Sequence, residues 1–223
     1  MTLSDFETLP RLPGEFGPAE QVAYIVRDID AAIQFWQETF DVGPFLVARN
    51  ELPLSNAYYR GQKAEKARVN IAFAYVGDMQ LELIELIGDT PSLYKEALDR
   101  EHSGVHHYAV FVDDFPRAYN WALDNGFDAV VDAGVDGLAR MSYIENPDTG
   151  LILEVIEYNG LTRPYFDVIE RRVSDVAPGQ PVQEFELAEL TPRFAVYTAL
   201  AKLLLKKMTG QVKQTRRVTE TAA

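Results

Sequence analysis

Gly104-Val-His-His-Tyr-Ala-Val-Phe-Val-Asp-Asp-Phe115 decides the fold, because an earlier stretch repeats its pattern. Gln21-Val-Ala-Tyr-Ile-Val-Arg-Asp-Ile29 lies over His107-Tyr-Ala-Val-Phe-Val-Asp-Asp-Phe115 at a constant offset of 86. Ala23 then falls on Ala109, Val26 on Val112, Asp28 on Asp114 and Gln21 on His107. A second pair repeats as well: Leu81-Glu-Leu-Ile-Glu85 matches Leu153-Glu-Val-Ile-Glu157. Fixed-offset self-similarity reveals architecture before any local signal does. Two copies make a paired module, not a solenoid.

Working outward, Gln21–Val26 alternates and is rich in Val and Ile, the signature of a strand. Asp28 or Asp30 caps a helix over Ala31–Phe40, with Ile29, Ile33, Trp36 and Phe40 on one face. Phe45–Ala48 reads as a strand, followed by a loop over Glu51–Ala67. Arg68–Val76 and Met79–Leu86 form a hairpin about Gly77-Asp78, and Thr90-Pro91 starts a short helix through Leu98, with Pro in its first turn. The second copy gives a strand at His106–Val112, a helix at Phe115–Leu123 and a strand at Asp128–Asp132. A hairpin of Leu138–Glu145 with Gly150–Glu157 completes it. Each half therefore reads β-α-β-β-β, with a module at 19–100 and another at 101–158. Residues 1–18 are an irregular arm rich in Pro and Gly. Residues 159–223 form a helical extension: a helix over Arg163–Val173, a linker at Ala177–Pro181, and a helix over Pro192–Met208 capped by Thr191 and stopped by Gly210. The stripe of that last helix is Tyr197, Leu200, Ala201, Leu204 and Met208, and disorder is expected from Gln211 onward.

At 223 residues, with 47% hydrophobic and 25% charged, the chain has ample core for one large domain or two small ones. It has no cysteine, which removes disulfides and thiolate metal sites and fits a cytoplasmic protein. No apolar run approaches the ~18 residues of a spanning helix. Met1-Thr-Leu-Ser-Asp-Phe-Glu7 has no basic-then-apolar pattern, so no secretory leader is expected. A net charge of −13 argues against a nucleic-acid partner, since phosphates would be repelled. The charge is uneven. From Lys202 onward six basic residues face Glu220 alone, a surplus of five that leaves residues 1–201 at −18.

A glutamate inside an apolar strand costs several kcal/mol if it stays charged and unpaired, roughly in proportion to its burial. Two such glutamates in equivalent strands of two copies would face one shared cavity, and Gln21 and His107 would face it too. An imidazole, an amide oxygen and two carboxylates make a plausible four-ligand set for a divalent cation, which would offset that cost. Alternation leaves the choice open. Glu82 shares a face with Ile84 and Leu86, whereas Glu85 shares one with Leu81 and Leu83, and His106 competes with His107.

With these segments in view, residues 18–158 resemble the vicinal oxygen chelate superfamily of glyoxalase, bleomycin-resistance and extradiol-dioxygenase proteins. The carrying segments are Gln21–Trp36, Gln80-Leu-Glu-Leu-Ile-Glu85, Gly104–Asp114 and Glu145-Asn-Pro-Asp-Thr-Gly-Leu-Ile-Leu-Glu-Val-Ile-Glu157. The Gly-x-His-His segment looks most like methylmalonyl-CoA-epimerase-like members. The resemblance implies an α+β fold in which two paired βαβββ modules form an open half-barrel cup around a metal, with a helical C-terminal extension. It places the ligands at Gln21, Glu82, His107 and Glu154, a set similar to that of animal-type glyoxalase I. It implies one divalent ion (Zn, Co, Ni or Mn), Glu154 as ligand and base with Glu82 as the second catalytic carboxylate, and a homodimer. Ile25, Leu86 and Ser103 stand where glyoxalase I of that type clamps glutathione, and Asn70 stands where epimerases carry a second carboxylate base, so neither substrate transfers directly.

The expected activity is a metal-dependent isomerase, epimerase or lyase removing a proton next to a carbonyl, on a small molecule such as a thioester or 2-oxo compound. Two alternatives are a metal-free sequestering protein of the bleomycin-resistance type and a ring-cleaving dioxygenase, although Gln21 replaces a histidine that the dioxygenases use. Asn70, Tyr58, Tyr59 and Lys63 are candidate substrate contacts. The last three lie in the basic loop Tyr58–Arg68, which either grips an anionic handle such as a CoA phosphate or is simply solvated. His102 is expected at the surface. The basic last helix is expected to pack on the cup or a second subunit, with an anionic membrane surface as the alternative.

Overall fold

The computed structural model describes residues 14, 16–51, 57–101, 104–135, 138–159, 161–176, 182–190 and 193–212. Most of the expected arm, His102, Ser103, the linker at 177–181, the Thr191 cap and the tail beyond 212 lie outside them. Each module has the βαβββ order. The first contains β1 (Ala19–Val26), α1 (Ile29–Phe40), β2 (Leu46–Glu51), β5 (Arg68–Val76) and β6 (Met79–Ile87), with two short strands, β3 (Tyr58–Tyr59) and β4 (Gln62–Lys63), inserted before β5. After α2 (Leu93–Asp99) the second contains β7 (His107–Val112), α3 (Phe115–Asp124), β8 (Asp128–Val135), β9 (Ala139–Glu145) and β10 (Ile152–Glu157). The extension adds α4 (Thr162–Ser174), β11 (Gln183–Phe185) and α5 (Arg193–Met208).

All strands join one open mixed sheet in the order β11-β2-β5-β6-β1-β7-β10-β9-β8-β3-β4. In each module the first strand pairs parallel with the last, β1 with β6 and β7 with β10. The modules meet where β1 and β7 run antiparallel, with Ala23 opposite His107 and Gln21 opposite Ala109. The same cap starts both module helices. Asp28 accepts from the Ala31 amide at 2.9 Å, and Asp114 accepts from that of Arg117 at 3.3 Å. Such a cap contributes about 0.5–2 kcal/mol.

The helices decide which side of each strand is which. Ile29 and Ile33 of α1 bury against Ala72, Leu81 and Leu83. Phe115, Ala118 and Tyr119 of α3 bury against Val110, Val112, Leu153 and Val155. These form the convex face. Side chains alternate along a strand, so Glu82, with Ile84 and Leu86, belongs to the concave face, and Glu85, with Leu83, to the convex one. Phe40 of the expected α1 stripe is exposed, as is Phe35, since the sheet covers α1 only along its Ile29–Ile33 side.

The extension enters the cup. Ile169 and Val173 of α4 pack with Ile71, Phe73, Ile84 and Leu86 on the concave face of the first module. Burying one such side chain contributes roughly 1.5–3 kcal/mol. Helix α5 behaves differently. Leu203 is buried, whereas Tyr197, Leu200, Leu204 and Met208 face solvent, so the expected stripe does not pack on its own cup. Helix α2 starts later than the sequence suggests. Ser92 caps it by accepting from the Lys95 amide at 3.2 Å, so Pro91 precedes the cap instead of occupying the first turn. Among the described residues, no helix is long and apolar enough to cross a membrane.

Candidate metal centre

Four adjacent strands at the module seam bring polar side chains to the concave face: Gln80 and Glu82 from β6, Gln21 from β1, His107 from β7 and Glu154 from β10. Strand register arranges them in two rows. Glu82, Ala23 and His107 lie abreast across β6, β1 and β7, and Gln21, Ala109 and Glu154 lie abreast across β1, β7 and β10. The rows are related by a pseudo-twofold that exchanges the two glutamates, the two alanines, and Gln21 with His107. Ala23 and Ala109 are fully buried. Their single methyl groups leave the middle of the arrangement open, where a larger side chain would fill it.

The polar atoms converge there. His107 Nε2 lies 3.3 Å from Glu154 Oε2 and 3.5 Å from Glu82 Oε2. One ligand atom from each of Glu82, His107 and Glu154 lies within 4.8 Å of the others, and all three residues are buried. Gln21 is held from behind: its Nε2 donates to Gln80 Oε1 at 2.6 Å, and Gln80 Nε2 donates to Tyr75 Oη at 2.8 Å. The His107 ring is fixed by a 2.9 Å contact between its Nδ1 and His106 Nδ1. Histidine ligands are commonly oriented through their second nitrogen in this way. His107 also meets the edge of Tyr143, ring centres 5.0 Å apart.

Three buried atoms, Gln21 Oε1, Glu82 Oε2 and His107 Nε2, have no hydrogen-bond partner among the described residues. Leaving such a group unsatisfied costs about 1–3 kcal/mol each, and more if charged. An amide oxygen, a carboxylate oxygen and an imidazole nitrogen together are an acceptor set that a divalent cation satisfies. The residues therefore fit a metal. Electrostatics fits too. Burial raises the Glu82 carboxyl, with His107 pulling against it. Burial would lower His107, but the neighbouring Glu154 and Glu82 outweigh it and hold the imidazole up to about 9. Without metal, a proton occupies the place of a cation.

The site opens into a cavity of ≈ 620 Å³, within the range of small-molecule sites. Gln21, Glu82 and Glu154 lie at its floor. Its walls are largely apolar and aromatic, and Leu161, Thr162, Tyr165 and Phe166 come from the start of α4. Burial, then Glu154, keeps Tyr143 well above the usual tyrosine range, and burial, then Glu82, does the same for Tyr165. Both hydroxyls are protonated donors.

The other candidate contacts lie elsewhere. Asn70 shares the convex face with Ala72, donates to Glu85 Oε2 at 2.5 Å, and accepts from the Asn50 amide at 2.9 Å. Tyr58 and Tyr59 pair with β8 at the far edge of the sheet. Tyr59 Oη donates to Glu96, which Arg60 also engages at 2.7 Å. Lys63 is exposed, and none of these four lines the cavity. Sequence reasoning did not identify Tyr165 and Phe166 as wall residues. Their signal was an amphipathic helix left without a partner once both modules were complete.

The sequence profile of the Glyoxalase/Bleomycin resistance protein/Dioxygenase superfamily matches residues 20–144. No curated protein matches the chain. Among solved structures, methylmalonyl-CoA epimerase from Mycobacterium tuberculosis is similar at 18% identity and a TM-score of 0.46, over 66% of this chain and 91% of that one. A hypothetical protein, BH1468, from Bacillus halodurans C-125 has 17% identity and a TM-score of 0.45, over 64% and 94%. A variant of Streptomyces coelicolor methylmalonyl-CoA epimerase in complex with 2-nitronate-propionyl-CoA has 16% identity and a TM-score of 0.43, over 64% and 94%.

Proposed function

The chain belongs to the Glyoxalase/Bleomycin resistance protein/Dioxygenase superfamily, and from that premise we propose that it is a divalent-metal-dependent isomerase, epimerase or lyase that removes a proton next to a carbonyl. The observation that carries this reading is the convergence of three partnerless buried atoms, on Gln21, Glu82 and His107, with Glu154 beside them. Gln21, Glu82, His107 and Glu154 would hold the ion, which would be Zn, Co, Ni or Mn. When bound, it supplies Lewis-acid polarisation of a substrate carbonyl, which acidifies the adjacent C–H.

The protein's residues do the rest. Glu154 takes the proton: the C–H bond breaks, an O–H bond forms on the carboxylate, and the electron pair moves into the carbonyl to give an enolate. General-base catalysis of this kind typically contributes 10²–10⁴-fold, on the order of 3–5 kcal/mol. Glu154 would return that same proton to a different carbon. Return to the opposite face would instead need Glu82, on the other side of His107, to carry a proton taken from solvent, with Glu154 later losing its own to solvent. The neutral hydroxyls of Tyr143 and Tyr165 line the same cavity and can donate to substrate oxygens. Gln21, Glu82, His107, Tyr143 and Glu154 are buried, which limits the water that competes for the proton.

A second reading, metal-free sequestration of a small molecule, draws support from the apolar cavity walls. Elemental analysis of protein purified without chelator, beside His107→Ala, separates the two. About one equivalent of divalent metal per chain, lost in the variant, is the expected result. A folded wild-type protein that neither carries nor takes up metal would reject the enzyme.

A further inference from the structure

On that reading of the site, we propose that the substrate is an uncharged, largely aromatic or branched-aliphatic carbonyl compound bound wholly within the cup, and not a carboxylate or a CoA derivative. The charges of the cavity carry the argument. Three carboxylates line it, those of Glu51, Glu82 and Glu154, and among the described residues its only cationic lining residue is Arg140.

Arg140 is directed elsewhere. Its guanidinium is paired with Asp132, and that pair is buried. It also sits 5.4 Å over the ring of Phe115, under α3. The strands there place Arg140 and Ser142 on the convex side, and Met141 and Tyr143 on the concave side. Arg140 therefore contributes its position on β9 to the cavity while its charge is neutralised on the other face. Glu51 adds negative charge at the rim, where one oxygen accepts from the Leu187 amide at 2.9 Å. A divalent ion on Glu82 and Glu154 brings those three charges to zero and leaves Glu51 uncompensated. Among the described residues that line the cavity no positive charge remains to hold a carboxylate or phosphate, and the chain as a whole carries a formal net charge of −13. A field of one sign lowers the local concentration of like-charged ligands.

The walls ask for the opposite kind of ligand. Phe73, Met141, Ile156, Leu161, Tyr165 and Phe166 present aromatic rings and aliphatic chains around the floor. A ≈ 620 Å³ space walled this way takes a drug-sized apolar body, with few polar groups to fix its orientation. Of the basic residues in the Tyr58–Arg68 loop, Arg60 is tied to Glu96, Arg68 donates to the Asn50 carbonyl at 2.9 Å and Lys63 is on a short edge strand, and none of the three lines the cavity.

The test is isothermal titration of wild-type, zinc-loaded full-length protein with two neutral aromatic ketones, 1-phenylpropane-1,2-dione and 2-hydroxyacetophenone, and with two anions, benzoylformate and isobutyryl-CoA. The expected result is that the tighter neutral probe binds at least about tenfold better than either anion, a difference of about 1.4 kcal/mol. A Leu161→Lys variant, which adds a cation at a half-exposed wall position, is expected to narrow that gap. An anion binding as well as or better than the neutral probes overturns the proposal, and so does failure of both neutral probes to bind at millimolar concentration. A parallel titration with Zn²⁺ alone, on wild type and His107→Ala, keeps the two ideas apart. If Zn²⁺ binds and an anion wins, the substrate class is wrong and the metal site stands. If Zn²⁺ does not bind but the neutral probe does, the metal-dependent reading falls and the substrate class stands.

Discussion

The two modules contribute almost equally to the floor of the site and quite unequally to its walls. From the first come Gln21 and Glu82, from the second His107 and Glu154, in rows that a pseudo-twofold interchanges. Above the floor the symmetry ends. Ile169 and Val173 of α4 pack on the concave face of the first module and leave Ile71 and Phe73 at the cavity edge. That of the second keeps Met141, Tyr143 and Ile156 open to the cavity, with Leu93 of α2 packed against Tyr143 and Val131 beyond. Duplication supplies the polar groups of the floor, and the unduplicated extension supplies a shape.

The largest effect should come from breaking the floor. Glu154→Gln is expected to lower turnover by about 10²–10⁴-fold on an identified substrate. Full turnover in that variant would remove Glu154 as the base. Glu82→Gln tests whether the two carboxylates share the work, and an equal loss would extend the twofold from structure to chemistry.

Breaking the wall should cost stability instead. Ile169→Ala leaves a cavity where α4 meets the first module and is expected to cost about 2–5 kcal/mol in denaturant unfolding while metal content is retained. Loss of metal along with stability would mean that floor and wall are not separable. The central alanines sharpen the comparison further. Ala23→Leu and Ala109→Leu should each cost about 1–3 kcal/mol through overpacking and abolish metal uptake with the ligands untouched. Unequal outcomes for this pair, read by elemental analysis, would break the twofold at its axis.

A smaller effect follows from the proton on His107. Its imidazole is raised to about 9 by Glu154 and Glu82 despite burial. In the metal-free protein this contributes stability that is complete below the ordinary value of 6.5 and is lost as pH rises through about 9. A metal must displace that proton, so apparent affinity should rise toward pH 9, by up to about tenfold per unit. Calorimetry in buffers of different ionisation enthalpy should detect about one proton released at pH 7. The smallest effect belongs to the hairpin at the far edge. Arg60 holds the Glu96 carboxyl below its ordinary 4.5. That increment is present above 4.5 and is lost as pH falls through the folded value. The pair is partly exposed, so Glu96→Gln should change stability at pH 7 by less than about 1 kcal/mol and flatten the acid limb slightly.

The duplication was legible in the sequence because it left both a fixed offset and matching caps, Asp28 and Asp114. The choice between Glu82 and Glu85 was not legible from alternation, which fits either. It is settled by Ile29 and Ile33, which take the Leu81–Leu83 side of β6 and leave Glu82 to the cup. His107 is selected over His106 in the same way, by lying opposite Ala23 on the concave face. Strands as short as Tyr58–Tyr59 and Gln62–Lys63 carry no measurable period, so their loop looked like a free basic arm. Its pairing with β8, Tyr58 with Asp132 and Tyr59 with Val131, joins segments far apart in the sequence and is a tertiary fact. The part played by Tyr165 and Phe166 was hidden for a related reason: an amphipathic helix announces a buried face without saying what it will cover.

Helix α4 has one further consequence, which concerns descent. Gln21, Glu82, His107 and Glu154 occupy equivalent places in the two modules, so a change at any of them disturbs the pseudo-twofold relationship. Among the described residues the segment bearing Leu161, Tyr165 and Phe166 has no counterpart in either module and answers to no such pairing. Mutation there can redraw the cup's selectivity while the inherited chemistry beneath it stays intact. A lineage could therefore acquire new substrates by varying about a dozen residues of appended helix, and the first sign of such diversification would be wall sequences that scatter widely above an unchanged floor.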